Sequence, residues 1–130
     1  MEIARGTFSK LDDERRLAFG WASVVSEDGE ALVDKQDDVV DMASLEDAVY
    51  GYVLDSRAAG EMHERTGVGR LVESVVMTAE KLDAMGIQSS RTGWWIGFRV
   101  ESDEVWKRVK SGEYSAFSIG GLGEREVVNA

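Results

Sequence analysis

Apolar residues alternate with polar or small residues in several short segments of the chain. In RTGWWIGFRVES at 91–102, Trp94, Ile96 and Phe98 alternate with Trp95, Gly97 and Arg99, and RLAFGWASVV at 16–25 is rich in β-branched and aromatic residues. Both patterns predict strands. The segment 70–82 begins as a strand and ends as a helical turn, and further strands are predicted at 114–121 and 124–129.

Two segments have helical spacing instead. The first, at 44–57, has one apolar stripe at positions i, i+3, i+4, i+7 and i+8, namely Leu45, Ala48, Val49, Tyr52 and Val53. Ser44 with Asp47 predicts a capping box at its start. The second, at 102–114, has Ser102 as its predicted N-cap and Gly112 as its stop, with a buried face formed by Val105, Trp106 and Val109.

This order of elements contains too little strand–helix alternation for a parallel doubly wound sheet. It predicts an α+β fold: a mostly antiparallel β-barrel or sheet with two or three flanking helices. No repeat, linker or low-complexity segment divides the 130 residues. We therefore expect one domain over residues 1–130.

Composition excludes several functional classes. The chain has no cysteine, which excludes disulfides, thiolate zinc sites and cysteine catalysis. Its net charge of −10 repels phosphate backbones and disfavours nucleic-acid binding. No apolar stretch approaches the roughly 20 residues that span a bilayer, and the N-terminal residues do not resemble a secretion signal. We expect a globular protein with no nucleic-acid or membrane partner.

One serine and the single histidine are the candidate catalytic pair. Ser118, in YSAFSIGG at 114–121, precedes Gly120 and Gly121, whose backbone N–H groups could face an oxyanion. A serine hydroxyl needs an adjacent base, and His63 is the one imidazole in the chain. Taken alone, the residues also permit a structural serine and a surface histidine.

Other conspicuous residues favour structural interpretations. Asp34, Asp37, Asp38 and Asp41 lack the glycine and terminal glutamate of a calcium loop, so a solvated turn is favoured. Glu61 and Glu64 flank His63 but form a weak zinc set. Trp94, Trp95 and Trp106 are predicted to be core residues. We expect no metal and no cofactor.

Three segments together resemble a known family. They are RLAFGWASVV followed by VDKQDDVVD, then MHERTGVGRLVES, then GWWIGFRVESDEVWKRVKSGEYSAFSIGG. In that order they are similar to the XkdF-type phage serine proteases, which are relatives of the prohead maturation proteases of tailed phages. The likeness extends over roughly residues 15–123, and the serine segment is its most specific part.

The resemblance implies a herpesvirus-assemblin-like fold and a Ser/His endopeptidase, with Ser118 as nucleophile and His63 as general base. It implies a homodimer that acts inside the procapsid, in the host cytoplasm. Scaffold protein and segments of the major capsid protein would be its substrates.

Glu73 is the first choice for the acid that orients His63, with Glu124 and Glu126 as alternatives, and Arg125 could join the oxyanion donors. A non-catalytic assembly module with the same fold is the alternative function, and a metal-dependent hydrolase around His63 ranks last.

Overall fold

A computed structural model describes residues 2–32, 41–57, 69–113 and 116–120. These residues form an α+β fold built on one antiparallel sheet, with helices packed against it. The strands are β1 (Glu2–Asp12), β2 (Leu17–Glu27), β3 (Glu30–Ala31), β4 (Arg70–Met77), β5 (Arg91–Arg99) and β6 (Ala116–Gly120). The helices are α1 (Met42–Gly51), which continues as a π-helical segment (Tyr52–Arg57), α2 (Ala79–Met85) and α3 (Asp103–Ser111).

The strand order in the sheet is β4-β5-β2-β1-β6, and the short β3 pairs with β2. All pairings are antiparallel. Within the described residues β4 and β6 do not pair with each other, so the sheet is open and not closed into a barrel. The predicted fold class, an α+β fold with a mostly antiparallel sheet and two or three flanking helices, is confirmed.

The main core lies between the sheet and α1. Its buried residues come from β2, β4, β5, α1 and the π-helical segment, namely Ala18, Ala22, Val25, Leu45, Val49, Tyr52, Leu71, Val76, Trp94, Ile96 and Phe98. Trp94 is fully buried; its ring meets Tyr52 edge to face at 5.9 Å, and its indole N–H donates to the Ser74 hydroxyl at 2.8 Å. The alternation predicted for β5 thus gives the sheet its core-facing side.

Lys81 joins α1, α2 and β4. Its ammonium donates to Glu46 Oε2 at 3.0 Å, to the Tyr50 hydroxyl at 2.9 Å and to the Val76 carbonyl at 2.9 Å. The Tyr50 hydroxyl in turn donates to Glu46 at 3.1 Å. The hydrogen bond with Tyr50, then the Glu46 carboxylate, raises the pKa of Lys81. All three protons of the ammonium are therefore used in holding α2 against its neighbours.

Two sequence predictions about local structure are wrong. The N-cap of α1 is Asp41 and not Ser44, because the Asp41 carboxylate accepts from the Ser44 backbone N–H at 3.1 Å and from its hydroxyl at 2.8 Å. These bonds also lower the pKa of Asp41. The predicted stripe buries Leu45, Val49 and Tyr52, whereas Ala48 is exposed because it lies on the solvent side of the helix.

Strand β1 was not predicted from the sequence. It pairs with both β2 and β6, so it lies inside the sheet although its sequence has few large apolar residues. By contrast, α3 begins after Ser102 and ends at Gly112, as predicted, and α2 follows β4 as the predicted helical turn. The last predicted strand, at 124–129, lies outside the described residues. No helix in the described ranges is long and apolar enough to cross a membrane.

Candidate active site

Ser118 lies in the middle of β6, as the sequence predicted. β6 pairs with β1, and the register places Ser118 opposite Arg5 and Phe117 opposite Gly6. Gly120 is the last residue of the strand and lies opposite Glu2. The backbone of the candidate nucleophile is therefore held by a strand ladder and does not belong to a surface loop.

The helix that precedes β6 is attached to the turn between β1 and β2. The Trp106 indole N–H donates to Asp13 Oδ1 at 2.6 Å, and the Lys110 ammonium lies 3.3 Å from Asp13 Oδ2. The Trp106 hydrogen bond, followed by the Lys110 hydrogen bond, lowers the pKa of Asp13. One carboxylate thus receives two donors from successive turns of α3.

The same turn has two further fixed points. Asp12 accepts from the Arg15 backbone N–H at 3.0 Å and from its guanidinium, and these bonds lower the pKa of Asp12. Arg16, with a positive φ of 60°, forms an ion pair with Asp103, and its carbonyl accepts from the Val100 N–H at 2.9 Å. The turn is consequently joined to α3 at Asp103, the first residue of the helix, and again at Trp106 and Lys110.

Glu73 lies on β4, at the opposite edge of the described sheet from β6. Three strands separate them, so a flat sheet would place them roughly 19 Å apart. The Glu73 side chain is exposed and has no hydrogen-bond or ion-pair partner among the described residues. The register places it opposite Gly97, against which the Phe19 ring packs. The described sheet does not bring Glu73 beside Ser118, and its assignment as the orienting acid stays a prediction.

The other predicted site residues lie outside the described residues. They are His63, Gly121, Glu124, Arg125 and Glu126, together with Glu61 and Glu64. Their predicted roles therefore stay predictions.

The acidic cluster and the tryptophans have structural roles where they are described. Asp41 caps α1, and Asp34, Asp37 and Asp38 lie outside the described residues. No group of three possible metal ligands occurs in the described part of the chain. Trp94 and Trp106 are buried, as predicted. Trp95 is half-buried and meets Trp21 edge to face at 5.5 Å.

Sequence reasoning missed Asp13. It lies 93 residues before Trp106 and has no apolar neighbour that would distinguish it from other exposed acids. A free indole N–H on a buried tryptophan was the one available signal, because such a donor needs a partner. That signal identifies the donor but not the acceptor.

The described residues define a class of protein, an α+β fold built on an antiparallel sheet. The candidate nucleophile Ser118 lies on one strand of that sheet. A family model described as "Putative phage serine protease XkdF" matches residues 5–127. The chain belongs to the family that this model describes.

Two relatives from Bacillus subtilis (strain 168) also match. The uncharacterized protein YqbD is 32% identical over 117 residues, which are 89% of this chain and 34% of that protein. The phage-like element PBSX protein XkdF is 28% identical over 119 residues, which are 90% of this chain and 41% of that protein. The chain thus spans between a third and a half of the length of these relatives. No solved structure matches it significantly.

Proposed function

We propose that this chain is a serine endopeptidase of phage prohead maturation. The observation that supports the proposal is the coincidence of the family match with the placement of Ser118. The match includes the serine segment, and the structure holds that segment in a sheet strand with a fixed register. A nucleophile on a rigid element keeps its orientation toward the substrate carbonyl, which is what acyl transfer requires.

The proposed reaction is two-step acyl transfer. His63 removes the Ser118 proton while Oγ attacks the peptide carbonyl, and the resulting oxyanion accepts hydrogen bonds from N–H groups near Gly120 and Gly121. The imidazolium then protonates the leaving amine as the C–N bond breaks. Water, deprotonated by His63, attacks the ester, and its proton returns to Ser118 as the acid product leaves.

The third catalytic residue has two sets of candidates. Glu73 follows His63 by ten residues and is exposed without a described partner, so it is free to accept from an imidazole brought to β4. Glu124 and Glu126 follow Ser118 by six and eight residues. The described residues do not select among Glu73, Glu124 and Glu126, so the orienting acid is identified by experiment.

Scaffold protein and segments of the major capsid protein are the proposed substrates, and the host cytoplasm, inside the procapsid, is the proposed location. A net charge of −10 is compatible with a protein packed among scaffold chains and kept apart from DNA. We propose a homodimer as the active form, so activity should rise with protein concentration.

The test is co-expression with phage scaffold and capsid protein, with cleavage measured by mass spectrometry. Ser118→Ala should abolish cleavage, whereas Ser115→Ala, a serine three residues earlier in the same segment, should retain it. His63→Ala should lose cleavage by about a thousandfold or more. Undiminished cleavage by Ser118→Ala would end the catalytic assignment.

The acid is identified by comparing Glu73→Gln, Glu124→Gln and Glu126→Gln. The variant that loses the orienting carboxylate should lose most of kcat at unchanged stability, because the imidazole then adopts the wrong tautomer or orientation. The other two should cleave at close to the original rate. If all three cleave normally, His63 has no carboxylate partner from this set.

A non-catalytic assembly module is the second candidate. One observation favours it: the first-choice acid Glu73 and Ser118 lie at opposite edges of the described sheet. A fluorophosphonate probe, applied over a range of protein concentrations, separates the two functions. Ser118-dependent labelling supports the protease, and no labelling at any concentration supports the module.

A further inference from the structure

Helix α3 is attached to the turn between β1 and β2 by the Arg16–Asp103 ion pair and by two donors that share the Asp13 carboxylate. Trp106 and Lys110 are spaced i and i+4, so both face the same side of α3. Both donate to Asp13, in the turn between β1 and β2. Among the described residues, the apolar cluster beneath the helix has three buried members, Val100, Trp106 and Val109, with Phe8 and Val105 packed against them. Because this cluster is small, the hydrogen bond from Trp106 to Asp13 contributes strongly to the orientation of the helix.

The position of α3 limits the position of β6. Four residues, 112–115, separate the end of α3 at Ser111 from the start of β6 at Ala116. Such a connection spans at most about 17 Å. At its C-terminus α3 stops sharply, because Gly112 adopts a left-handed conformation with φ of 88°.

β6 is also bound to the strand that leads into the same turn. It pairs with β1 alone among the described strands, and β1 ends at Asp12, the residue before Asp13. A shift of the turn relative to α3 thus acts on β6 from two sides, through its ladder with β1 and through the connection from α3. Ser118 lies at the centre of that ladder.

We propose that Asp13 and Trp106 are positioning residues for Ser118: their hydrogen bond fixes α3 against the β1–β2 turn and thereby holds β6 in register. The inference rests on the proposed function for its catalytic consequence. It also makes a structural statement about β6 that holds whether or not Ser118 is a nucleophile.

The chain contains a matched control. Trp94 is another buried tryptophan whose indole N–H donates to a side-chain oxygen, that of Ser74, at 2.8 Å. It lies on β5, on the far side of β2 and β1 from β6. Trp106→Phe and Trp94→Phe each remove one indole donor and keep an aromatic ring, so they differ chiefly in which part of the sheet loses its contact.

The experiment measures two quantities on the intact protein at a temperature where every variant is fully folded. They are the rate constant for fluorophosphonate labelling of Ser118 and the amide exchange rates of residues 116–120. Trp106→Phe and Asp13→Ala should each slow labelling about tenfold and speed amide exchange in β6 about tenfold. Trp94→Phe should change neither by more than about twofold.

Asp13→Asn is the rescue variant, because its side-chain oxygen can still accept the indole N–H. It should label faster than Asp13→Ala and exchange more slowly, because it keeps the acceptor for the indole N–H while losing the charge that faces Lys110. The proposal is overturned if Trp106→Phe matches the original protein, if Trp94→Phe has the same effect as Trp106→Phe, or if Asp13→Asn is as impaired as Asp13→Ala.

Failure of the proposed function is distinguishable from failure of this inference. If the original protein does not label, the protease assignment is wrong and amide exchange alone decides. Faster exchange in β6 for Trp106→Phe and Asp13→Ala, but not for Trp94→Phe, then supports the positioning contact. Unchanged exchange in β6 overturns it.

Discussion

The surroundings of Trp94 and Trp106 differ in size and in charge. Trp94 is one of eleven buried residues of the main core, and its indole donates to a neutral hydroxyl. Trp106 belongs to a cluster of three buried residues, and its indole donates to a carboxylate. A large apolar cluster is stabilised mainly by the area it buries. A small apolar cluster, such as the one beneath α3, depends more on a charge-assisted hydrogen bond to hold its helix in one orientation.

This comparison separates a region that stabilises the fold from a region that positions one strand. The region around Trp94 unites β2, β4, β5 and α1 and gives the sheet its core. The region around Trp106 joins α3 to the turn between β1 and β2, and β1 pairs with the strand that contains Ser118. Changes in the first region should act mainly on stability, and changes in the second on the geometry of β6.

Truncation of the two tryptophans should give the largest effect. Trp94→Ala should lower the free energy of unfolding by about 3–5 kcal/mol, because it leaves a cavity inside a closed apolar cluster. Trp106→Ala should lower it by less, because fewer buried apolar residues surround this side chain. Urea denaturation followed by circular dichroism measures both. Equal losses would contradict the distinction between the two regions.

A methyl group at Gly93 should give the next largest effect. Gly93 has φ of 147°, and an added Cβ would collide with the Ser23 carbonyl oxygen and lie 2.9 Å from Val24 Cα, both on β2. Gly93→Ala should lower the unfolding free energy by about 1–3 kcal/mol or more, because strain and a backbone shift combine.

Gly51→Ala is the control for that variant. Nothing lies within 4 Å of the added methyl at this helical position. Thermal unfolding should show a small stabilisation, by up to about 1 kcal/mol, since alanine restricts the unfolded chain and favours helix. A destabilised Gly51→Ala would show that α1 and the π-helical segment have a packing constraint absent from this structure.

The two indole hydrogen bonds should differ in their pH dependence. The Trp106 hydrogen bond, then Lys110, lowers the pKa of Asp13 below its ordinary value of 3.8. A lowered folded-state pKa contributes stability above the unfolded-state pKa, and this stability is lost as the pH falls through the folded-state pKa. The stability difference between the original protein and Trp106→Phe should therefore be constant at neutral pH and shrink below about pH 4.

Trp94→Phe provides the comparison for that measurement, because the Ser74 hydroxyl does not titrate in this range. Its stability difference from the original protein should stay constant as the pH falls. Urea denaturation of the three proteins between neutral pH and about pH 3 measures both differences. Parallel pH profiles for the two variants would contradict a role for the Asp13 carboxylate.

The smallest effect is expected for an exposed ion pair on the same helix. Arg108 and Glu104 are 2.9 Å apart and lie one helical turn from each other on α3, with the Glu104 side chain 74% exposed. Glu104→Ala should change the unfolding free energy by no more than about 0.5 kcal/mol. It should leave amide exchange in β6 unchanged. A larger effect on β6 would mean that this exposed ion pair also orients α3.

Local patterns predicted the elements whose side chains decide their own structure. The alternation around Trp94, Ile96 and Phe98 predicted β5, and the cap residues Ser102 and Gly112 predicted α3. Ser118 was predicted to lie in a strand, and it does. The N-cap of α1 is Asp41 and not the predicted Ser44, because the helix begins three residues earlier than its apolar spacing indicated.

The sequence by itself determined the class of fold, the approximate bounds of β2, β4, β5 and α3, and the membership of the XkdF family. These depend on side-chain periodicity, on caps and on the order of motifs, all of which are local. The tertiary structure alone decided that β1 pairs with both β2 and β6, that β4 and β6 lie at opposite edges of the described sheet, and that the Asp13 carboxylate accepts the indole N–H of Trp106. Which distant segments pair depends on the backbone partners available across the whole chain, so the pairing cannot be predicted from any single segment.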